Sequence, residues 1–395
     1  MSEYQYYEFL AIDRQLTSKE MSTLRNISSR ADITPVSLTN VYNFGDFKGN
    51  PTELVQRYFD AHVYMANWGT AVFMINLPFD AITQDTVDAV QVEDFLDFKA
   101  TKNHWVITWS LDEPEDFDRF ALDDGQSWMK RLAPIRDELL RGDLRSLYIG
   151  WLAAVTQEMV DDEDLEPLAI EGLGDLTPAQ QALAEFLEVD TDLLAGAGMG
   201  SPAFEDPELK QEMVDEWLNN LSQEEVRSIL NLLLAGQGLQ AERKLKGRFE
   251  SWLRSFPNPH RDMPLRTVEE IRQNSESAQK MRLEKERQKQ KRQEEKRRQK
   301  RQAYLNDLAT DFSKAWQGIQ KTVARGSGSA YKEACQGLAD LSEAYLLYSS
   351  PEAFEQELNQ FMEGHMRRKA FIRRLVEKGF LDQELRAKKP IGKKS

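Results

Sequence analysis

The sequence predicts an α+β N-terminal domain with a mixed sheet, followed by a mainly α-helical region with one long charged helix and a C-terminal helical hairpin or small bundle. Three observations lead to this fold class. Strand-like apolar segments alternate with capped helical segments up to about residue 130. Beyond that point the apolar residues follow helical spacing. From residue 267 to residue 322 the chain has no proline and is rich in Gln, Glu, Lys and Arg, which are good helix formers.

Composition limits the class of protein. A chain of 395 residues, 41% of them hydrophobic, predicts two or three domains with at least one full core. No apolar run is long enough to span a membrane, and the N-terminus has no secretory pattern, so we expect a cytoplasmic protein without membrane contact. Cys335 is the single cysteine and is expected to be a buried helical residue. With four scattered histidines, no metal or cofactor site is expected.

The N-terminal elements follow from caps and periodicity. Residues 6–12 read as a strand, and Thr17 with Glu20 forms a capping box that starts a helix. Residues 33–44 read as a second strand, in which Pro35 indicates an edge or a bulge. Asn50 caps a helix that is expected to continue to about residue 68. That helix would place His62 in the core as an ordinary buried histidine.

Two further strands and several helices complete the prediction. Residues 70–77 are almost continuously apolar and read as a central strand, whereas residues 104–111 alternate as a half-buried strand. Residues 144–159 have helical spacing, and Thr177 caps another helix. Residues 196–202 are read as a break. A capping box at Ser222 starts a helix whose inward side is predicted from its apolar residues: Val226, Ile229, Leu230 and Leu233.

The predicted domain boundaries follow composition. They are 1–130 for the α+β domain, 131–256 for a helical domain, 257–266 for a proline-containing linker, 267–323 for the long charged helix and 329–385 for a C-terminal helical module. Residues 326–329, with the sequence Gly-Ser-Gly-Ser, are expected to form a flexible joint.

Charge is the most unusual property of the sequence. Between residues 276 and 302 there are twelve Lys and Arg against five Glu, a net charge of +7. The whole chain carries −15, so the remainder carries −22. Contact with nucleic acid is one hypothesis, with Lys289, Arg292, Arg297 and Arg298 as its candidates. The interleaved glutamates, the absence of aromatic residues and the acidic remainder favour a bridging or partner-binding helix instead.

No catalytic motif stands out. There is no P-loop and no Gly-x-Ser-x-Gly element, and the glycines of residues 196–200 follow a helical pattern rather than a strand, so they read as a loop. A set of polar loop residues in the N-terminal domain could line one site, although turn and cap chemistry also explains them. The set consists of Arg14, Arg30, Asp46, Lys48, Asn67 and Trp68.

Four segments resemble a family of uncharacterised bacterial proteins: residues 7–14, 28–31, 45–49 and 66–69. The helix of residues 144–151 and the charged segment fit the same pattern, so the resemblance covers most of the chain. It implies no activity.

Residues 331–381 are similar to the helical end of bacterial SWIM zinc-finger proteins. The residues that carry this similarity are Tyr331, Ala334, Leu338, Leu341, Phe354, Leu358, His365, Arg367, Arg368, Lys369, Leu375 and Gly379. The SWIM motif needs three cysteines and a histidine, and only Cys335 is present, so the similarity implies a shared helical module and a possible partner but no metal site.

The sequence therefore predicts a non-catalytic interaction or scaffold protein with a protein partner, for which a SWIM zinc-finger protein is one candidate. Two alternatives remain open. One is a nucleic-acid-associated factor that uses the basic helix. The other is an enzyme of unknown class with a site in the N-terminal domain.

Overall fold

A computed structural model describes residues 4–112, 125–203, 211–236, 238–253 and 264–381. The chain divides into two compact units, Met1–Arg282 and Leu283–Ser395. The division falls inside one long helix, and each unit is described below by itself.

The strands are β1 (Gln5–Leu10), β2 (Asp32–Ile33), β3 (Ser37–Tyr42), β4 (Ala61–Ala66), β5 (Ala71–Pro78), β6 (Leu96–Ala100) and β7 (His104–Leu111). The helices of the first part are α1 (Ser18–Ile27), α2 (Pro51–Arg57), α3 (Gln84–Val90), α4 (Trp128–Leu132), α5 (Pro134–Leu140), α6 (Arg145–Thr156), α7 (Pro178–Phe186) and α8 (Thr191–Met199). They are followed by α9 (Gln211–Asn219), α10 (Gln223–Leu234), α11 (Gly238–Leu253), α12 (Val268–Thr310), α13 (Phe312–Ala324), α14 (Gly328–Tyr348), α15 (Pro351–Glu363) and α16 (Lys369–Glu377).

The strands form one sheet in the order β2-β3-β1-β4-β5-β7-β6. The α+β class is confirmed, but the expectation of a mixed sheet is wrong, because every pairing within the described strands is antiparallel. The reason is local. β4 and β5 are joined by a tight turn in which Gly69 has a φ of 101°, a conformation that favours glycine, and such hairpins produce antiparallel neighbours.

Both faces of the sheet are covered. On one face, Phe9 and Leu38 pack with Leu24 of α1 and Val55 of α2. On the other, a larger core joins β4, β5 and β7 to helices α3–α8 and includes Val268 and Ile271 at the start of α12. The central strands are therefore buried on both sides, which explains their near-continuous apolar character.

The helix predicted from Asn50 to about residue 68 is wrong in its second half. The N-cap is confirmed, since Asn50 Oδ1 accepts a hydrogen bond from the Glu53 amide at 3.2 Å. However, α2 ends at Arg57, and residues 61–66 form β4 between β1 and β5. His62 is buried as expected, but it lies on a strand.

The capping boxes predicted at Thr17, Thr177 and Ser222 are all confirmed. Each of these hydroxyl oxygens accepts a hydrogen bond from the amide three residues later, and the side chain at that position bonds back to the amide of the cap residue. The helix starts of unit 1 were therefore predictable wherever the cap chemistry was complete.

The loop and break expected at residues 196–202 are wrong in their first part, because α8 continues to Met199. Glycine is needed here for close packing. A Cβ atom on Gly196 would overlap the backbone of Ser275 and the carbonyl oxygen of Ile271, both on α12. The approach at Gly198 is less close, since a Cβ atom there would lie 3.1 Å from the Cα atom of Gly174.

Unit 2 contains the remainder of α12 and the bundle of α13–α16. The long helix predicted for residues 267–323 is interrupted at Asp311, whose carboxylate caps α13 by accepting from the Lys314 amide at 2.9 Å. Trp316, Leu338, Leu358 and Phe371, one from each bundle helix, share a single core. The predicted C-terminal bundle is confirmed, and Cys335 is buried within it.

The boundaries of the five predicted segments differ from those of the two compact units. The larger core of unit 1 joins strands of segment 1–130 with helices of segment 131–256 and with the start of α12. Most of the predicted linker 257–266 and the end of the module 329–385 lie outside the described residues. Of the predicted joint at residues 326–329, Gly326 has a φ of 67°, Ser327 caps α14, and the last two residues are the start of α14.

Candidate functional site

The polar residues predicted to line one N-terminal site lie at two ends of the sheet. Gln5, at the start of β1, donates from Nε2 to Asp46 Oδ1 at 3.4 Å, and Asn67 Oδ1 accepts from the Tyr4 amide at 3.0 Å. Arg14 follows the other end of β1 and forms an ion pair with Glu20 at 2.8 Å. The strand between them is roughly 17 Å long, so Arg14 shares no compact pocket with Asp46 and Asn67.

The other residues predicted for the N-terminal site do not form a cluster of side chains with them. Arg30 and Lys48 are exposed in loops, and Trp68 is half-buried in the turn between β4 and β5. Asn67 closes this turn onto the N-terminus, since its amide also donates to the Tyr4 carbonyl at 3.0 Å. Turn and cap chemistry therefore accounts for what the structure shows of these residues.

A polar cluster does lie beside Asp46, and its side chains were not predicted as a set. Tyr7 donates to Gln5 Oε1 at 2.7 Å, and Tyr64 donates to the same oxygen at 3.3 Å. Burial raises the pKa of both phenols above the usual range. Both hydroxyls are engaged with Gln5, so the cluster links the neighbouring strands β1 and β4 and leaves neither phenol free.

Two buried arginines of unit 1, Arg136 and Arg145, and the half-buried Arg266 are all paired with carboxylates. Arg136 binds Asp13 through two parallel hydrogen bonds of 3.1 and 2.7 Å. Arg145 binds Asp143 and the carbonyl of Asp175. Arg266 binds the buried Glu166, which also accepts from Tyr148 at 2.7 Å. Such paired and hydrogen-bonded charges are what a structural role requires.

Helix α10 presents an apolar face to solvent, which contradicts the prediction that this face points inward. Of the residues predicted to be inward, only Ile229 is buried. The exposed fractions are 39% for Val226, 52% for Leu230, 51% for Leu233 and 86% for the adjacent Leu234. We call these four residues the α10 apolar face.

The orientation of α10 is set by polar contacts on its other side. Glu225 pairs with Arg248 of α11, and Lys244 of α11 donates to Ser228 at 2.8 Å. Glu225 and Ser228 therefore face α11, whereas the four residues of the α10 apolar face are exposed. Residues at positions i, i+4, i+7 and i+8 share one face of a helix, so the four aliphatic side chains form a continuous strip.

The charged part of α12 is exposed along its whole length. Every residue from 279 to 300 is exposed, and residues 284–302 are exclusively Glu, Lys, Arg and Gln. The four predicted nucleic-acid candidates do not share a face. At 100° per residue, Lys289 and Arg292 lie about 60° apart, whereas Arg298 lies about 180° from Lys289 and Arg297 lies between them.

A different set of cations does share one face of α12. Its members are Lys285, Lys289, Arg292, Lys296 and Lys300. They fall within an arc of about 80° and extend over about 22 Å of helix. Glu284, Glu286, Glu294 and Glu295 all lie at least about 80° from the centre of that arc. We call the five cations the α12 basic stripe.

Charge is unequally divided between the two units. Residues 283–395 hold 25 Lys and Arg against 16 Asp and Glu, a net charge of +9. Since the chain carries −15, residues 1–282 carry −24. The acidic remainder that argued against a polyanionic ligand is therefore confined to unit 1, and the stripe belongs to a basic unit.

Unit 2 also has an open groove of about 820 Å³ between the end of α12 and helices α13, α14 and α16. Its charged lining is balanced, with three cations and three carboxylates: Lys332, Glu333, Asp340, Arg374, Glu377 and Lys378. The buried thiol of Cys335 lies in one wall, and burial raises its pKa, which disfavours the reactive thiolate.

Within the described ranges, no group of three or more His, Cys, Asp or Glu side chains could hold a metal ion. Helices of a length and apolarity suited to crossing a bilayer do not occur in the same ranges. No family model, curated protein or solved structure matches the chain.

Proposed function

We propose that this is a non-catalytic interaction protein that binds a protein partner through the α10 apolar face. The observation that carries the proposal is the exposure of four aliphatic side chains in one strip, on a helix whose other side is already packed. Contiguous exposed apolar strips on folded proteins are typical of protein-binding sites. The setting we propose is the cytoplasm, as expected from the sequence.

Energetics support a partner on this face. Burying a Val or Leu side chain contributes about 1.5–3 kcal/mol relative to leaving it in water. The strip therefore offers several kilocalories per mole that the described part of the chain does not use. The arginines Arg136, Arg145 and Arg266 of unit 1 support the same reading, because their carboxylate partners are used in internal ion pairs.

The shape of the strip selects an amphipathic helix of another protein as its occupant. The four side chains span about two helical turns, the repeat over which a partner helix presents its own i, i+3 and i+4 residues. Arg227 lies at the border of the strip and is exposed, so a carboxylate on the partner would complement it. A SWIM zinc-finger protein is the first candidate, because residues 331–381 resemble the helical end of such proteins.

The test compares three full-length forms as bait: wild type, Leu230→Glu/Leu233→Glu, and the matched control Asn231→Glu. Asn231 is exposed on α10 outside the strip. A partner identified by quantitative capture is purified and its Kd measured by calorimetry. We expect the double variant to lose at least 100-fold in affinity and the control less than 3-fold. Equal affinity of all three forms would refute the proposal, as would strip-dependent self-association in light scattering without a second protein.

A second candidate function is association with nucleic acid. The specific observation that favours it is the α12 basic stripe within a unit of net charge +9. It uses a different surface from the α10 apolar face, so the two functions can be tested separately.

A further inference from the structure

We propose that the α12 basic stripe binds the sugar–phosphate backbone of a nucleic-acid duplex. This gives the second candidate function a defined surface and ligand, and it is independent of the α10 apolar face.

The stripe is available to a ligand. All five of its side chains are exposed, and none has a hydrogen bond or ion pair to any described residue. Two arginines of α12 that flank this segment are engaged: Arg282 pairs with Asp192 at 2.7 Å, and Arg301 pairs with Asp340 at 2.8 Å. The five stripe cations lie between these two, so the free charge is concentrated in one segment.

The spacing of the stripe suits a regular polyanion. Steps of four, three, four and four residues place successive cations about 6, 4.5, 6 and 6 Å apart along the helix axis. A duplex presents one phosphate per about 3.4 Å of axis on each strand, so five side chains with flexible stems can each reach a phosphate. Gln288, Gln293 and Gln299 border the stripe and can donate hydrogen bonds to phosphate oxygens.

The chemistry of the surface favours nucleic acid over an acidic protein. Protein interfaces have an apolar core and are depleted in lysine, whereas residues 284–302 contain no apolar side chain and four of the five stripe cations are lysines. Backbone binding to a duplex needs no apolar core, because release of condensed counterions drives it. Lysine binds phosphate as a compact point charge, which is compatible with this contact.

The same surface predicts what kind of nucleic acid binds. Single-strand binding sites stack bases on aromatic side chains, and no aromatic residue lies between residues 284 and 302. Nothing on the stripe reads a base by stacking. We therefore expect binding that is duplex-preferring and indifferent to sequence.

The experiment measures anisotropy of a labelled 20-base-pair DNA duplex of random sequence, titrated with full-length protein from 50 to 200 mM NaCl. Five phosphate contacts predict a log–log salt slope of about −4.5, which is an affinity loss of about 500-fold across this range. The stripe variant is Lys289→Gln/Arg292→Gln/Lys296→Gln/Lys300→Gln. The matched control, Arg287→Gln/Lys291→Gln/Arg297→Gln/Arg298→Gln, removes the same charge from the other faces of the same helix segment.

The stripe variant should bind more weakly at every salt concentration and lose less than about 10-fold in affinity between 50 and 200 mM, since each removed contact lowers the slope by about 1. The control should keep a slope near −4. Glutamine is a good helix former, so circular dichroism should show unchanged helicity in both variants.

Equal losses of DNA affinity in the stripe variant and the control would overturn the proposal, because net charge alone would then explain binding. It would also be overturned by a wild type that binds a polyglutamate peptide but no duplex at 50 mM. The stripe variant should retain any partner bound at α10, so failure here leaves the first proposal standing.

Discussion

The guanidinium group of Arg136, on α5, is joined to the carboxylate of Asp13 by two parallel hydrogen bonds, and its Nε donates to the Asn76 carbonyl at 2.8 Å. Asp60 approaches the same group to 4.0 Å and accepts from the amides of Ile12 and Asp13. One side chain from the helical layer therefore holds the loop after β1 and the end of β5 together.

Replacing Arg136 should destabilise unit 1 strongly. Its side chain is 2% exposed, so Arg136→Met would leave Asp13 and Asp60 close together without their cation. Loss of one partner of a fully buried pair costs about 3–5 kcal/mol, and because the Asp13 side chain is 38% exposed we expect a smaller loss, of about 2–3 kcal/mol. Urea denaturation followed by tryptophan fluorescence measures the change. Arg131→Met is the control, since the Arg131–Glu185 pair is largely exposed and should cost about 1 kcal/mol or less. Equal losses in the free energy of unfolding for the two variants would show that the Arg136–Asp13 pair contributes no more than an exposed pair.

Two glycine substitutions should change stability in opposite directions. Gly196→Ala should destabilise unit 1, because the new Cβ would overlap the backbone of α12 at Ser275. Gly247→Ala, inside α11, meets nothing within 4 Å and should stabilise its helix by up to about 1 kcal/mol through helix propensity. Thermal unfolding monitored by circular dichroism distinguishes them. A stabilising Gly196→Ala would refute the close contact between α8 and α12.

His62 should make unfolding pH-dependent. It stacks on Phe9 with ring centroids 4.0 Å apart, its Nδ1 lies 2.9 Å from the Glu8 carbonyl, and burial lowers its pKa from 6.5 to about 4. Because the folded pKa is depressed, the unfolded chain binds the proton first as pH falls below about 6.5. The free energy of unfolding should drop by about 2 kcal/mol from pH 7 to pH 5 through this group, and the loss should level off below about pH 4.

The measurement is the difference in urea unfolding between wild type and His62→Phe from pH 7 to pH 5. Carboxylates titrate in both proteins, so only the difference between the two curves reports His62. Parallel curves would contradict the assignment of a neutral, buried imidazole.

Which side of α10 is exposed can be tested by measuring the free energy of unfolding of two variants. Leu230→Ala should change the free energy of unfolding by about 0.5 kcal/mol or less, as expected of an exposed position. Ile229→Ala should cost about 2 kcal/mol or more, because Ile229 is buried against its neighbours. Chemical denaturation of the two variants provides the comparison. A larger effect at Leu230 would mean that the apolar face is packed internally.

Much of the fold could be predicted where the signal was local. A capping box is a contact between residues three apart, so Thr17, Thr177 and Ser222 marked helix starts without any knowledge of the fold. The strand at residues 104–111 was equally clear from its alternating tryptophans and isoleucine.

The errors came from patterns that two structures share. Residues 51–66 carry apolar side chains that fit a period of 3.6, but Ala61, Val63 and Met65 also fit a period of 2, and pairing with β1 and β5 decides in favour of the strand. The glycines of α8 read as a loop because the close approach of α12, which requires glycine at residue 196, involves residues some 75 positions away in the sequence.

The candidate surfaces were hidden for different reasons. Periodicity identifies an apolar face but not what covers it, so the spacing of Val226, Leu230 and Leu233 predicts a core position for residues that are exposed. In the basic helix, proximity in sequence groups Arg297 and Arg298 with Lys289. The helical rotation groups Lys289 with Lys285, Arg292, Lys296 and Lys300 instead.

The central claim, that a protein partner covers the α10 apolar face, is tested most directly by amide hydrogen exchange of the full-length protein with and without its purified partner. We predict that peptides covering residues 223–234 gain protection on binding, whereas peptides from α13–α16 do not change. Protection confined to other elements, with residues 223–234 unaffected, would contradict the claim.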